Sequence, residues 1–240
     1  MNRPVAAIIL AAGASMRMGG IKKEFQRLKP DSDLTVLGSS VCAFASVSSV
    51  EIIVIAVPLN AEDAARNALD PVCLSAAKPK IIFANGGNTR RASVFNALSV
   101  LARYNPCYVL IHDGARPWVS RSLIERIIEA AEKYGAVIPL LPLTDTPKEC
   151  DAPLTWNMEH GTEGNAAFIK RHLKRVNIGI AQTPQAFAFA EILAAHEKAA
   201  AVDDEEFTDD AEIWGRFCGQ AAVIPGEQEN KKITFPEDLS

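Results

Sequence analysis

Along most of this chain, short apolar runs alternate with segments whose apolar residues recur at three- and four-residue spacing. The runs at 5–11, 51–57, 80–84, 108–112 and 136–141 are nearly continuous in Val, Ile, Leu and Ala, which predicts strands of a parallel sheet covered on both faces. The segments between them, 36–47, 61–69, 91–104 and 121–134, have the period and length of crossover helices. Ser120 is a candidate N-cap and Gly135 a candidate stop for the last of these. The order βαβαβαβαβ predicts an α/β fold, Rossmann-like and doubly wound, with a mostly parallel sheet.

The rhythm breaks at 143–178, where Pro147, Pro153, Gly161 and Gly164 stand among isolated apolar residues and no face is consistently apolar. A stretch of this length with no core face predicts an arm that extends to meet something else, inserted within a single domain spanning 1–240. Helical patterns return near 187–201 and 209–217, followed by a short predicted strand at 231–235. No internal repeat, low-complexity tract or linker marks a second domain.

Composition narrows the partners. With 240 residues, 48% of them hydrophobic, the chain can bury one substantial core. Its formal net charge of −4 leaves no basic excess, which argues against duplex nucleic acid or an anionic membrane surface as the main partner. Locally concentrated cations could still hold a small anion. No run approaches the roughly 18 apolar residues that span a bilayer. Cys42, Cys73, Cys107, Cys150 and Cys218 are odd in number and lack metal-ligand spacing, as expected of core thiols in a reducing cytoplasm. Arg3 followed by an apolar run has some likeness to a secretory signal, but the run is short and a basic loop follows at once, so a cytoplasmic first strand is expected.

That basic loop carries the first candidate chemistry. In "LAAGASMRMGGIKKEF" the first strand gives way to Gly13, Gly19, Gly20 and small residues, with Arg17, Lys22 and Lys23 supplying charge. Small residues let a backbone approach a ligand closely, and such a loop at the carboxyl edge of a parallel sheet suits a polyphosphate. It is neither GxGxxG, since Ser15 and Met18 fall at the glycine positions, nor a Walker loop, since no GKS or GKT is present. Alone it could equally be a solvated loop. A second glycine-rich turn, "GGNTRRASV", opens directly into a helix bearing Arg90 and Ser93, as anion sites at helix N-termini do. In "HDGARP" a strand ends at Asp113, which could hold magnesium beside phosphates or simply pair with Arg116 in the interior. "NKKITFPEDL" places Lys231 and Lys232 near the chain end, either in a site or on a charged edge.

Taken in order with "AQTPQAF" and "FTDDA", these segments resemble the 2-C-methyl-D-erythritol 4-phosphate cytidylyltransferase family over nearly the whole chain. The resemblance implies a homodimeric enzyme that joins CTP to methylerythritol phosphate with Mg²⁺, releasing pyrophosphate, in non-mevalonate isoprenoid synthesis. By matched position it implies that Arg17 and Lys23 stabilise charge on the reacting α-phosphate. Ala11, Ala12, Gly13, Gly87, Arg90 and Ser93 would bind CTP, and Asp113 would lie near the ribose and the metal. Arg175 and Lys232 would position methylerythritol phosphate, with Thr146 and Arg116 as further candidates for that pocket. The arm would be the dimerisation element. Ser15 stands where the family commonly has glycine, Gly114 where alanine is usual, and the segment between Thr146 and Arg175 is longer than the family's.

The chemistry is consistent with the composition of these segments. Attack of one phosphate on another needs in-line positioning and neutralisation of crowded negative charge more than a nucleophilic side chain. A phosphate monoester, with a second pKa of about 6, is mostly dianionic near neutrality and needs no general base. His112, His160, His172 and His196 accordingly require no catalytic role. Two other readings fit much of the same sequence: a ribitol 5-phosphate cytidylyltransferase, and a non-catalytic nucleotide-binding protein on the same fold.

Overall fold

The structure, a computed structural model, describes residues 4–13, 15, 18–28, 33–69, 79–152, 167–202 and 207–239. Five strands match the predicted ones closely: β1 (Val5–Leu10), β2 (Val50–Val57), β3 (Lys80–Asn85), β4 (Tyr108–Asp113) and β5 (Ala136–Pro142). The helices between them are α1 (Val36–Ala45), α2 (Glu62–Asn67), α3 (Arg90–Leu101) and α4 (Arg121–Tyr134). Helix α4 begins where Ser120 Oγ accepts the Leu123 N–H at 3.0 Å, and it stops at Gly135, whose φ of 77° few side chains tolerate.

The apolar runs are continuous because each strand feeds two cores. Val5, Ala7 and Ile9 of β1 pack in one core with Leu37, Val41 and Phe44 of α1 and Leu123 and Ile127 of α4. Ala6 and Ile8 face the opposite core, with Val94, Leu98 and Leu101 of α3. Helices α5 (Phe189–Ala200) and α6 (Asp210–Phe217) complete that second layer through Ile192, Ala195 and Ile213. Each large aliphatic side chain so buried contributes about 1.5–3 kcal/mol.

Two short strands, β9 (Gln185–Ala188) and β10 (Ala222–Pro225), complete the order β10-β5-β9-β4-β1-β2-β3. Strand β9 runs antiparallel between β4 and β5, whereas β10 is parallel to β5. Neither was expected, because each is four residues long and flanked by turn residues or a helix. The predicted strand at 231–235 is not formed. Ile233 is fully buried there, but its N–H bonds to the Ala115 carbonyl at 2.8 Å rather than to a ladder, and a 3₁₀ turn, Pro236–Leu239, follows.

The chain runs from β1 out to β2 and β3, then crosses back to add β4 on the other flank of β1. The order therefore reverses between β1 and β4, whose carboxyl ends lie side by side with Leu10 paired to Asp113. That crevice is where an open α/β sheet binds ligands.

After β5 the chain leaves the sheet. Strands β6 (Lys148–Cys150) and β7 (Ile169–His172) form a separate two-stranded antiparallel sheet, and β8 (Gly179–Ala181) returns along β5. Among the described residues the cysteines depart from the expected core thiols: Cys42 is disulfide-bonded, Cys107 and Cys218 are exposed, and Cys150 is half-buried, while Cys73 lies outside the described residues.

Candidate active site

Loops from three strands converge at the crevice around a cleft of ≈ 560 Å³. The first loop leaves β1 with the Ala11 N–H still bonded to the Ala56 carbonyl at 2.8 Å. Its outer carbonyls are gathered by Lys22, whose ammonium donates to Ala11 O at 3.0 Å and to Gly13 O. The second loop, after β3, touches the first. A Cβ on Gly86 would lie 2.2 Å from the Ala12 methyl, so this approach requires glycine. Ser93 folds the loop onto α3, its Oγ accepting the Gly87 N–H at 3.0 Å and donating to Thr89 O at 2.9 Å. Thr89 caps α3 by accepting the Ala92 N–H, and Arg90 begins the helix with its side chain lining the cleft.

Asp113, at the end of β4, lies among three cations. Lys232 Nζ is 2.8 Å from Oδ2, while Arg90 Nε and Arg116 Nε are each 3.7 Å from a carboxylate oxygen. Burial opposes ionisation of this carboxyl, but Lys232, Arg90 and Arg116 together outweigh it and hold Asp113 well below the ordinary carboxylate range. Behind it a buried chain fixes the backbone. The Asp113 N–H donates to Thr183 Oγ1 at 3.0 Å, and the Thr183 hydroxyl lies 3.1 Å from His112 Nδ1. The Arg116 carbonyl can only accept, so His112 Nε2–H donates to it at 3.1 Å, and the unprotonated Nδ1 accepts the Thr183 hydroxyl, whose oxygen accepts the Asp113 N–H. Burial depresses the His112 pKa to about 4, so this imidazole is neutral near neutrality.

Lys23 enters from a 3₁₀ turn, Lys23–Phe25, and is only 8% exposed, with Nζ donating to Ile233 O at 2.7 Å. The same segment presents Lys232 and Thr234 to the cleft. Lys23, Arg90 and Lys232 thus bring positive charge to a glycine-lined crevice beside an ionised carboxylate, a constellation suited to a polyphosphate chain.

A family model for IspD, 2-C-methyl-D-erythritol 4-phosphate cytidylyltransferase, matches residues 5–240. The chain belongs to this family. It is 33% identical over 239 residues to the bifunctional enzyme IspD/IspF of Bartonella tribocorum, covering 100% of this chain and 55% of that protein. It is 39% identical over 241 residues to the bifunctional enzyme IspD/IspF of Bradyrhizobium sp. strain ORS 278, covering 99% and 55%. The chain thus spans about half the length of the curated relatives it matches. Among solved structures, 4-diphosphocytidyl-2C-methyl-D-erythritol synthase from Anaerococcus prevotii superposes with a TM-score of 0.80 at 27% identity, covering 99% of this chain and 93% of that one. The 2-C-methyl-D-erythritol 4-phosphate cytidylyltransferase of Thermus thermophilus gives 0.70 at 31% identity, covering 97% and 94%.

Of the residues expected for an IspD-family site, Ala12, Gly13 and Lys23 line the cleft from one side. Gly87, Arg90, Ser93, Asp113 and Lys232 line it from the others. Ala11 lies beneath it, fully buried. Arg116 does not line the cleft; it sits behind Asp113 with Nη1 bonded to Asn230 O at 2.8 Å. Thr146 and Arg175 are on the excursion, exposed, and outside this chain's own cleft. Arg17 lies outside the described residues. Gly114, where the IspD family commonly has alanine, donates its N–H to Leu10 O at 2.9 Å, and a Cβ there would lie 2.8 Å from that same oxygen. Sequence reasoning missed Thr234 and Glu24, which line the cleft, and the supporting Thr183–His112 chain. "TPQ" and "HDG" were visible as motifs, but nothing in the sequence signals that they touch.

Proposed function

We propose that this cleft is a cytidylyltransferase site joining CTP to 2-C-methyl-D-erythritol 4-phosphate, yielding 4-diphosphocytidyl-2-C-methyl-D-erythritol and pyrophosphate. The observation that carries the proposal is that Lys23, Arg90 and Lys232 line one cleft with Asp113 at the sheet's switch point, Arg90 and Lys232 pairing with that carboxylate, in a chain of the IspD family. An oxygen of the acceptor's phosphate attacks the α-phosphorus of CTP. A new P–O bond forms, the bridging bond from the α-phosphorus to the β-phosphate oxygen breaks, and pyrophosphate departs with that electron pair. The acceptor phosphate is already mostly dianionic, so no residue has to take a proton. Lys23, with Arg17, neutralises charge that crowds onto the α-phosphate, and Lys232 holds the acceptor phosphate. Loop amides around Gly13 and Gly87, with Arg90, hold the nucleotide.

Magnesium fits as the metal. Asp113 remains ionised and stands at the cleft, and Mg²⁺ is commonly held by one or two carboxylates together with substrate phosphates. Among the described residues no cluster of three or more His, Cys, Asp or Glu forms a protein cage, which suits an ion that arrives with the triphosphate. When bound it would neutralise phosphate charge.

The same reading makes the enzyme a cytoplasmic homodimer joined through the excursion after β5. Support for the dimer comes from the excursion itself: Phe168, Ile169 and Val176 are each more than half exposed on it. Incubation of CTP with methylerythritol phosphate or with ribitol 5-phosphate, followed by pyrophosphate release, tests the function. Release with the first acceptor alone is expected. Release only with ribitol 5-phosphate would reassign the acceptor, and CTP binding without release from either would make the protein a nucleotide binder.

A further inference from the structure

Arg90 is an unusual residue to begin a helix, because its charge stands at the positive end of the α3 dipole. Two carboxylates offset this, and they are unequal. Asp210 Oδ2 is 2.7 Å from Nη1, whereas Asp113 Oδ1 is 3.7 Å from Nε. Asp210 is fully buried and does not line the cleft. It opens α6, where a negative charge is favoured, and its Oδ1 receives His196 Nε2 at 3.1 Å from the fully buried face of α5. The start of α6 is pinned independently. Gln185 Nε2 donates to Asp209 Oδ2 at 2.8 Å, Gln185 Oε1 accepts the Ala211 N–H at 3.2 Å, and Asp209 Oδ1 accepts the Glu212 N–H at 2.9 Å. Asp210 therefore presents a rigid carboxylate to a side chain that lines the cleft from 120 positions away. Burial opposes its ionisation, but Arg90 and His196 prevail and keep it charged.

We propose that Asp210, braced by His196, is a positioning residue: it fixes the Arg90 guanidinium for nucleotide binding and keeps it from closing onto Asp113. Without the Asp210 charge, the nearest carboxylate left to Arg90 is Asp113, where it competes with Lys232. The cost then falls first on CTP binding. This inference rests on the cleft being the CTP site.

The test is a double-mutant cycle read by CTP calorimetry and steady-state kinetics on the full chain. Asp210→Asn should weaken CTP binding roughly ten- to a hundredfold, as loss of a hydrogen bond between charged groups does, with a smaller change in kcat. Asp210→Glu should recover part of the loss. In an Arg90→Ala background, Asp210→Asn should weaken CTP no further, because it acts only through Arg90. An unchanged CTP affinity in Asp210→Asn, or an equal additional loss in the Arg90→Ala background, overturns the proposal in favour of a pair that merely fastens α6 to α3. A second measurement uses wild-type protein without nucleotide and does not depend on how the variants fold. ¹⁵N spectra of the Arg90 guanidinium, assigned by through-bond correlation to its own backbone, should show separate Nη1 and Nη2 signals, since Nη1 is held on Asp210. A single averaged signal also overturns it. Failure of the wild type to bind CTP would sink the CTP reading itself, and the spectra would still decide whether Asp210 holds Arg90.

Discussion

Lys22 and Lys23 are neighbours with different tasks. Lys22 spends its ammonium on the carbonyls of Ala11 and Gly13, and burial lowers its pKa despite nearby Glu24. Lys23 lines the cleft, and the proposed mechanism gives it the crowded α-phosphate. Lys23→Ala should therefore lower kcat about a hundredfold or more while CTP still binds, because the interaction strengthens in the transition state. Rapid-quench kinetics beside CTP calorimetry checks this, and an unchanged kcat removes Lys23 from the mechanism. His112 gives a second expectation at this scale, about stability. Its pKa falls from an ordinary 6.5 to about 4 in the folded protein, so between these values the unfolded chain binds the extra proton. The stability that neutral His112 supplies is complete above pH 6.5 and is lost as pH falls towards 4, by about 3 kcal/mol in all. Urea titrations across that range should show the decline, and in His112→Gln the slope should be flatter over the same window. Equal slopes would mean that other groups govern it.

Secondary structure was legible where local signals and packing agreed. Helix α4 matches its predicted span because Ser120 and Gly135 define its ends by local bonding and geometry that a sequence displays. Strand β9 did not stand out, since its four residues have meaning only once β4 and β5 flank them and Phe187 is buried between layers. The same division runs through the site. The cleft's glycines and cations lie in recognisable loops, whereas Asp210 and Thr183 act through contacts that only the folded topology creates. Residues 231–235 show why an apolar-polar pattern misled: Ile233 is buried as a strand residue would be, yet it anchors a loop across the sheet edge. Its backbone is gripped on both sides, N–H by Ala115 O at 2.8 Å and carbonyl by Lys23 Nζ at 2.7 Å. Ile233→Ala should cost about 2–5 kcal/mol of stability, typical of a buried Ile truncated to Ala. Hydrogen exchange in 229–239 should quicken, and the KM for the sugar phosphate should rise more than that for CTP, since Lys232 adjoins the anchor. A rise confined to CTP would place this segment in the nucleotide subsite.

At the scale of the whole molecule, the excursion after β5 leaves a question that one subunit does not answer. Strands β6 and β7 pair with each other and not with the main sheet, and Arg175 donates to Thr144 O at 2.5 Å on the excursion itself, outside its own chain's cleft. On the proposed reading, in which Arg175 serves the acceptor phosphate and an arm with exposed Phe168 and Val176 joins two subunits, this arginine would be delivered to a partner's cleft. A Lys23→Ala dimer and an Arg175→Ala dimer should then each be nearly inactive, because every site lacks one needed charge. Mixing them under conditions that exchange subunits creates heterodimers. In these, one site has lost both groups, whereas the other combines an intact Lys23 with an intact Arg175 from across the interface. Pyrophosphate release should therefore return in the mixture, up to one working site in each heterodimer. If Arg175 acts within its own chain, both sites of every heterodimer remain defective and mixing restores nothing. Native mass spectrometry supplies the control: once it shows that heterodimers have formed, release that stays at the level of the unmixed variants refutes the crossing arm.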